Sequence, residues 1–151
     1  MIFVTVGSTD FDALIEKMDH LALSLKEPVV MQIGLGSYKP KHSHFFSFAP
    51  SLDPYYEQAD LIIAHGGLGT ITEVLGRGKK LICVVNPATY DCHQEHLLSV
   101  FAAQNYLLWC KDLEHLEEAI HQARGTQFAH YQPPECHIHE VIVQYLNKLC
   151  L

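Results

Sequence analysis

Hydrophobic positions along this chain fall into two alternating rhythms. Short, nearly continuous apolar runs read as buried β-strands: IFVTV (2–6), PVVMQIG (28–34), HFFSFA (44–49), DLIIAH (60–65), KLICVVN (80–86) and YLLWC (106–110). Between them the apolar residues recur at helical spacing. In DFDALIEKMDHLALSL (10–25), Phe11, Leu14, Ile15, Met18, Leu21 and Leu25 share one face, and Thr9 or Asp10 stands where a cap is needed. Further helices are predicted over LDPYYEQA (52–59), GTITEVLGRG (69–78, closed by Gly76 or Gly78), YDCHQEHLLSVFAAQN (90–105) and DLEHLEEAIHQA (112–123, capped by Asp112). A last one covers 137–151. Strand and helix alternate throughout, so the expected architecture is α/β: a single doubly wound, Rossmann-like domain with a mainly parallel sheet covered on both faces. Ligands of such sheets bind beyond the carboxyl ends of the strands.

That expectation directs attention to DLIIAHGGLGTITEVLGRGKKLICVV (60–85), where a strand hands over to a helix through a glycine-rich turn. The strand delivers His65 to the carboxyl edge, and the helix beginning near Gly69 has unpaired amides there. Gly66, Gly67 and Gly69 would let the backbone approach a bulky oxyanion, and Thr70 adds a hydroxyl. Glu73, one turn on, shares a face with Gly69 and Thr70. A carboxylate there suits two vicinal hydroxyls, as on a ribose, better than a phosphate. Two more loops should open on the same edge. VGSTDFD offers Gly7, Ser8 and Thr9 at a helix start, and NPATYDCHQEH gathers Asn86, Asp91, His93, Gln94 and Glu95. For each loop the alternative is a plain capped turn with nothing bound.

Composition narrows the class. The chain has 151 residues, 48% hydrophobic and 18% charged, enough for one domain with one buried core. Its net charge of −7 and lack of a basic stripe argue against nucleic-acid binding; an anion site built from backbone amides needs no net positive charge. Five cysteines, an odd number without a CxxC pair, suit reduced thiols in a cytoplasm. MIFVTVGSTD lacks the basic start of a signal peptide, and no apolar run approaches the ~20 residues of a membrane span. HSH (42–44) and HIH (137–139) have no cysteine or carboxylate at zinc-site spacing, so neither a metal nor a cofactor is expected.

The motif HGGLGTITE, the Ala59–Asp60 pair before its strand and DCHQEH downstream resemble the nucleotide-sugar-binding half of a GT-B glycosyltransferase, of the family 28 C-terminal-domain type. The opening IFVTVGSTDFDALI is similar to the start of the small soluble subunit of two-part glycosyltransferases. These are the eukaryotic dolichol-linked N-acetylglucosaminyltransferase and bacterial exopolysaccharide or capsule counterparts. The resemblance covers essentially the whole chain. It implies a domain equivalent to the C-terminal half of a GT-B enzyme, binding a UDP-sugar. Gly7, Ser8, His65, Gly66, Gly67, Gly69 and Thr70 would face the diphosphate. Glu73 would accept the ribose hydroxyls, His93 and Gln94 would touch the sugar, and Phe48, Ala49 and Pro50 would hold uracil. It further implies an inverting transfer of a hexose or N-acetylhexosamine to a lipid-linked acceptor.

A two-domain enzyme of this class carries its acceptor site, and often the general base, on the other half. The expected partner is therefore a membrane-anchored subunit that supplies both, holding this chain peripherally at a membrane on the cytoplasmic side. The predicted last helix fits that need, since Ile138, Val141, Ile142, Tyr145, Leu146, Leu149 and Leu151 are too apolar for a free terminus; packing on its own domain is the alternative. That surface would also allow a homo-oligomer when the chain is isolated. Two rival functions remain at this point. One is a nucleotide 5′-monophosphate phosphoribohydrolase, whose family shares a Gly-Gly-x-Gly-Thr-x-x-Glu signature but usually has proline where this chain has His65. The other is a non-catalytic nucleotide-sugar-binding module.

Overall fold

The structure, a computed structural model, describes residues 1–87 and 93–149. Six strands run in the order expected from the apolar rhythm: β1 (Ile2–Thr5), β2 (Val29–Gln32), β3 (His44–Phe46), β4 (Leu61–His65), β5 (Lys80–Val84) and β6 (Leu108–Cys110). The helices are α1 (Asp12–Leu21), α2 (Asp53–Gln58), α3 (Leu68–Gly76), α4 (His93–Ala103), α5 (Leu116–Gly125) and α6 (Ile138–Leu149). All strand pairs among the described residues are parallel, and the sheet order is β3-β2-β1-β4-β5-β6. The order reverses between β1 and β4, where Ile2 stands beside Leu61 and Thr5 beside Ala64. The loops leaving these two strands diverge to opposite faces and open a crevice at their carboxyl ends.

Alternate strand residues feed two cores. Ile2, Val4 and Val6, with Ile63 and Ile82, pack against Phe11, Leu14, Ile15 and Met18 of the α1 segment and Leu116 and Ile120 of α5. Phe3, Ile62, Ala64, Leu81 and Cys83 pack the other way, against Tyr56 of α2, Ile71, Val74 and Leu75 of α3, and Leu98 of α4. Burial on both faces explains why these strands read as continuous apolar runs.

Three local readings are corrected. The first helix begins at Asp12 and ends at Leu21, and no side chain caps it. The Thr9 hydroxyl instead donates to the Val6 carbonyl at 2.9 Å, closing the turn that precedes the helix. The third strand shrinks to three residues because it lies on the sheet edge, half out of the core. Asp112 does cap, but its carboxylate accepts from the Glu114 amide (2.9 Å) on a single 3₁₀ turn ahead of α5. Helix α6 packs on neither core: its apolar residues Ile138, Val141, Ile142, Tyr145 and Leu146 are between 52% and 63% exposed. The reading of Tyr90, Asp91 and Cys92 as a helix start lies outside the described residues, as do Cys150 and Leu151 and the side chains of His93 and Leu149.

Candidate functional site

At the crevice the turn after β4 and the loop after β1 are locked together by the ring of His65. A Cβ added to Gly7 would stand 2.8 Å from His65 Cε1, and one added to Gly67 would stand 2.5 Å from its Nε2. Both glycines therefore make room for the imidazole. Its Nδ1 is buried without a hydrogen-bond partner. Burial holds the ring below its ordinary pKa, against a weaker opposing pull from the Thr5 carbonyl.

The folded protein thus binds fewer protons at His65 than the unfolded chain does. The stability carried by the neutral ring is complete above an unfolded-state pKa of about 6.5 and is lost as pH falls from there towards the lower folded value. Melting curves of wild type and His65→Phe between pH 8 and pH 5 test this. The wild type is expected to lose stability relative to the variant on acidification, and a constant difference would refute the assignment.

Gln32 reinforces the first loop. Its Oε1 accepts from the Gly7 amide (3.0 Å) and the Thr5 hydroxyl (2.6 Å), while its Nε2 donates to the Gly7 carbonyl (2.7 Å) and the Ser47 carbonyl (2.8 Å). The Gly7 amide is therefore engaged inside the protein. What this loop presents is Ser8, which is exposed. The same glutamine ties the first loop to Ser47, just ahead of Phe48, Ala49 and Pro50 between β3 and α2. Phe48 is exposed there. Nothing in the sequence reading pointed to Gln32, although an amide inside an otherwise apolar strand was the available signal, since buried polar groups must be paired.

Beyond Gly67, α3 starts at Leu68, and its first hydrogen bond runs from the Ile71 amide to the Gly67 carbonyl (3.0 Å). The amides of Leu68, Gly69 and Thr70 lie in the first turn and have no intrahelical acceptor. Gly69 has open space on its Cβ side, whereas a Cβ at Gly66 would meet Leu98 at 3.1 Å and Gln94 Cβ at 3.5 Å. Gln94, in the first turn of α4, thus lies beside the glycine turn, its Oε1 buried and unpartnered among the described residues. Asn86 Nδ2 donates to the Asp10 carbonyl (2.9 Å), drawing the loop after β5 to the same edge.

Glu73 is exposed on α3, one turn past Thr70. The start of α3, with its dipole and open first-turn amides, thus lies at the carboxyl edge of the sheet, where an anion is favoured. Among the described residues no group of three or more His, Cys, Asp and Glu side chains could hold a metal.

The loop after β2 closes one flank. Gly36 packs on the Asp12 carboxylate, whose Oδ2 accepts from the Ser37 amide at 3.1 Å. Buried Asp19 accepts from the amides of Lys41 (2.7 Å) and His42 (2.9 Å) and from the Tyr38 hydroxyl (3.1 Å). Burial alone would raise the Asp19 carboxyl, but these donors outweigh it and hold it below the usual range. A separate cleft of about 440 Å³ lies at the amino end of β5, lined by Gly78, Lys79, Lys80 and the 125–131 segment. It is remote from the glycine turn. Its lysines already cap chain carbonyls: Lys79 donates to Glu57 and Ala59, and Lys80 to Ala123, Arg124 and Thr126.

Residues 1–144 match the glycosyltransferase family 28 C-terminal domain. The chain belongs to that family. Among curated relatives, the UDP-N-acetylglucosamine transferase subunit ALG13 of Mus musculus is 34% identical over 121 residues, which cover 72% of this chain and 10% of the mouse protein. The subunit of the same name from Candida albicans is 38% identical over 71 residues, 46% of this chain and 24% of that protein. This family 28 chain therefore spans about a tenth of the length of its mouse relative.

Acinetobacter baumannii MurG shares the fold at a TM-score of 0.65 and 23% identity, covering 82% of this chain and 41% of MurG. A solution structure of ALG13 does so at a TM-score of 0.55 and 19% identity, covering 87% of each chain. The six-stranded parallel sheet is thus the Rossmann-like half of a GT-B fold, as expected. Family 28 membership also speaks against the phosphoribohydrolase reading of the same glycine signature.

Proposed function

We propose that this family 28 domain binds the UDP part of a UDP-sugar in the crevice between β1 and β4. In this reading it is the donor subunit of a two-part inverting transferase that moves a hexose or N-acetylhexosamine to a lipid-linked saccharide. The observation that carries the reading is that α3 starts, with open first-turn amides, directly from the glycine turn after β4, at the point where strand order reverses.

In this assignment the Leu68–Thr70 amides and Ser8 hold the diphosphate, Glu73 takes the ribose hydroxyls, and the 48–50 segment receives uracil. His93 and Gln94 meet the sugar. The acceptor oxygen attacks the anomeric carbon as the bond to the diphosphate breaks, and UDP leaves with the bonding electrons. The amides stabilise the growing negative charge. His65, closed between Gly7 and Gly67, serves as a brace. The proton of the acceptor goes to a base on a membrane-anchored partner that also binds the acceptor. That the relatives are named as subunits supports such a partner.

Calorimetric titration with UDP, UDP-N-acetylglucosamine, UDP-glucose and AMP tests the assignment. Binding of UDP compounds and not AMP is expected; AMP binding without UDP binding would return the phosphoribohydrolase to favour.

Helix α6 is assigned to the partner. Its exposed stripe recurs at 138, 141, 142, 145 and 146, the spacing of one helical face, and a row of such residues facing water marks a contact surface. No helix among the described residues is long and apolar enough to cross a membrane. Deleting residues 138–151 is expected to leave UDP affinity unchanged and the melting temperature within about 3 °C, because the helix adds nothing to either core. Co-purification with a co-expressed membrane-anchored subunit should be lost. A large drop in melting temperature would show instead that α6 is part of the domain.

A further inference from the structure

Arg77 stands at the end of α3, four residues after Glu73 and on the same helical face. Its Nη2 donates to Asp53 Oδ1 at 2.5 Å and lies 3.7 Å from Glu73 Oε1. The guanidinium carbon is 5.6 Å from the ring centroid of Tyr56, which is 1% exposed. Asp53 opens α2 directly after the 48–50 segment, and Tyr56 belongs to the same helix. One guanidinium therefore joins the helix that follows the proposed uracil loop to the helix that bears the proposed ribose acceptor.

We propose that Arg77, anchored by Asp53 and seated over Tyr56, is a positioning residue that orients the Glu73 carboxylate for the vicinal hydroxyls of a nucleoside ribose. This rests on the donor reading above.

A carboxylate that accepts from two adjacent hydroxyls needs a fixed plane and a full negative charge. At 3.7 Å the Arg77 cation attracts one carboxylate oxygen without occupying both lone-pair directions, and the Glu73 side chain keeps 47% of its surface open to a ligand. Tyr56 answers from beneath. Its phenol is pushed up to about 12, by burial first and by the nearby Glu73 charge second. The bland alternative is a surface ion pair of the i,i+4 kind, which would stabilise the helix slightly and leave ligand binding untouched.

The two accounts separate on ligands that differ only in the hydroxyls. UDP and 2′,3′-dideoxy-UDP would be titrated into the full chain as wild type, Glu73→Ala and Arg77→Met, with melting curves for each. Arg77→Met is expected to weaken UDP on the order of three- to ten-fold, to leave dideoxy-UDP unchanged, and to melt within a few degrees of wild type. Equal weakening of both ligands, or of neither, would overturn the positioning role. Asp53→Asn, which keeps Arg77 and Glu73 in place, should show the same selective loss in smaller measure and serves if Arg77→Met does not fold. The donor reading fails separately. If wild type binds UDP no better than dideoxy-UDP and Glu73→Ala changes neither, Glu73 does not read a diol, whatever Arg77 does.

Discussion

Gly34→Ala should lower the stability of this chain by about 3 kcal/mol or more, a loss set by backbone geometry. Gly34 has φ +55°, and an added Cβ would stand 2.2 Å from the Thr9 carbonyl oxygen and 2.8 Å from that of Gly7. Neither obstacle is a side chain that can swing aside. The Leu35 amide donates to the same Thr9 carbonyl at 3.1 Å, so a shift that relieves the collision also breaks the contact holding the loop after β2 against the loop after β1. Urea denaturation would measure the loss. Gly76→Ala is the control: it lies on α3 with nothing within 4 Å of the added carbon, and the change should stabilise by roughly 0.5 kcal/mol. If both variants unfold at the wild-type midpoint, the two loops are not packed as described.

The second large effect is on binding. Glu73→Ala is expected to weaken UDP at least about ten-fold, the consequence of removing a charged acceptor worth roughly 1.5–3 kcal/mol in hydrogen bonds to hydroxyls. Because Glu73 is exposed, its loss should leave both cores intact and the melting temperature nearly unchanged. Glu73→Gln keeps an acceptor oxygen but not the charge, and should fall between. An unchanged dissociation constant for Glu73→Ala would remove the ribose assignment, and with it the strongest link between this crevice and a nucleoside.

Much of this arrangement could be read from the chain because periodicity reports burial. The runs that form the inner strands were nearly continuous and apolar, and it is the two-sided covering of a parallel sheet that makes them so, whereas the edge strand β3 is exposed or half-buried. The glycine turn was equally visible, since His65, Thr70 and Glu73 keep their spacing whatever the rest of the chain does. What the pattern does not reveal is which way a group points. Gly7, read as a site residue, has its amide turned inward to Gln32, a partner 25 residues away. Gly67 likewise serves the His65 ring. Arg77 stands one turn from Glu73 on the same helix, but Asp53 is an ordinary charged residue in sequence, and only packing of α2 against α3 brings it to Arg77. Helix α6 was legible as an apolar stripe, but a stripe looks the same whether it closes its own domain or stays uncovered.

The crevice is framed by β1 and β4, whose register pairs Ile2 with Leu61. Parallel neighbours so distant in sequence cannot zip up from a hairpin, and the intervening chain must be gathered before they gain anything from contact. Half-folded chains can therefore hold helices and even the β1–β2 pair, yet they have no place between β1 and β4 for a ligand. Ligand binding at this seam would count only finished molecules. A nucleotide present during refolding should consequently slow unfolding while leaving the rate of folding almost unaltered.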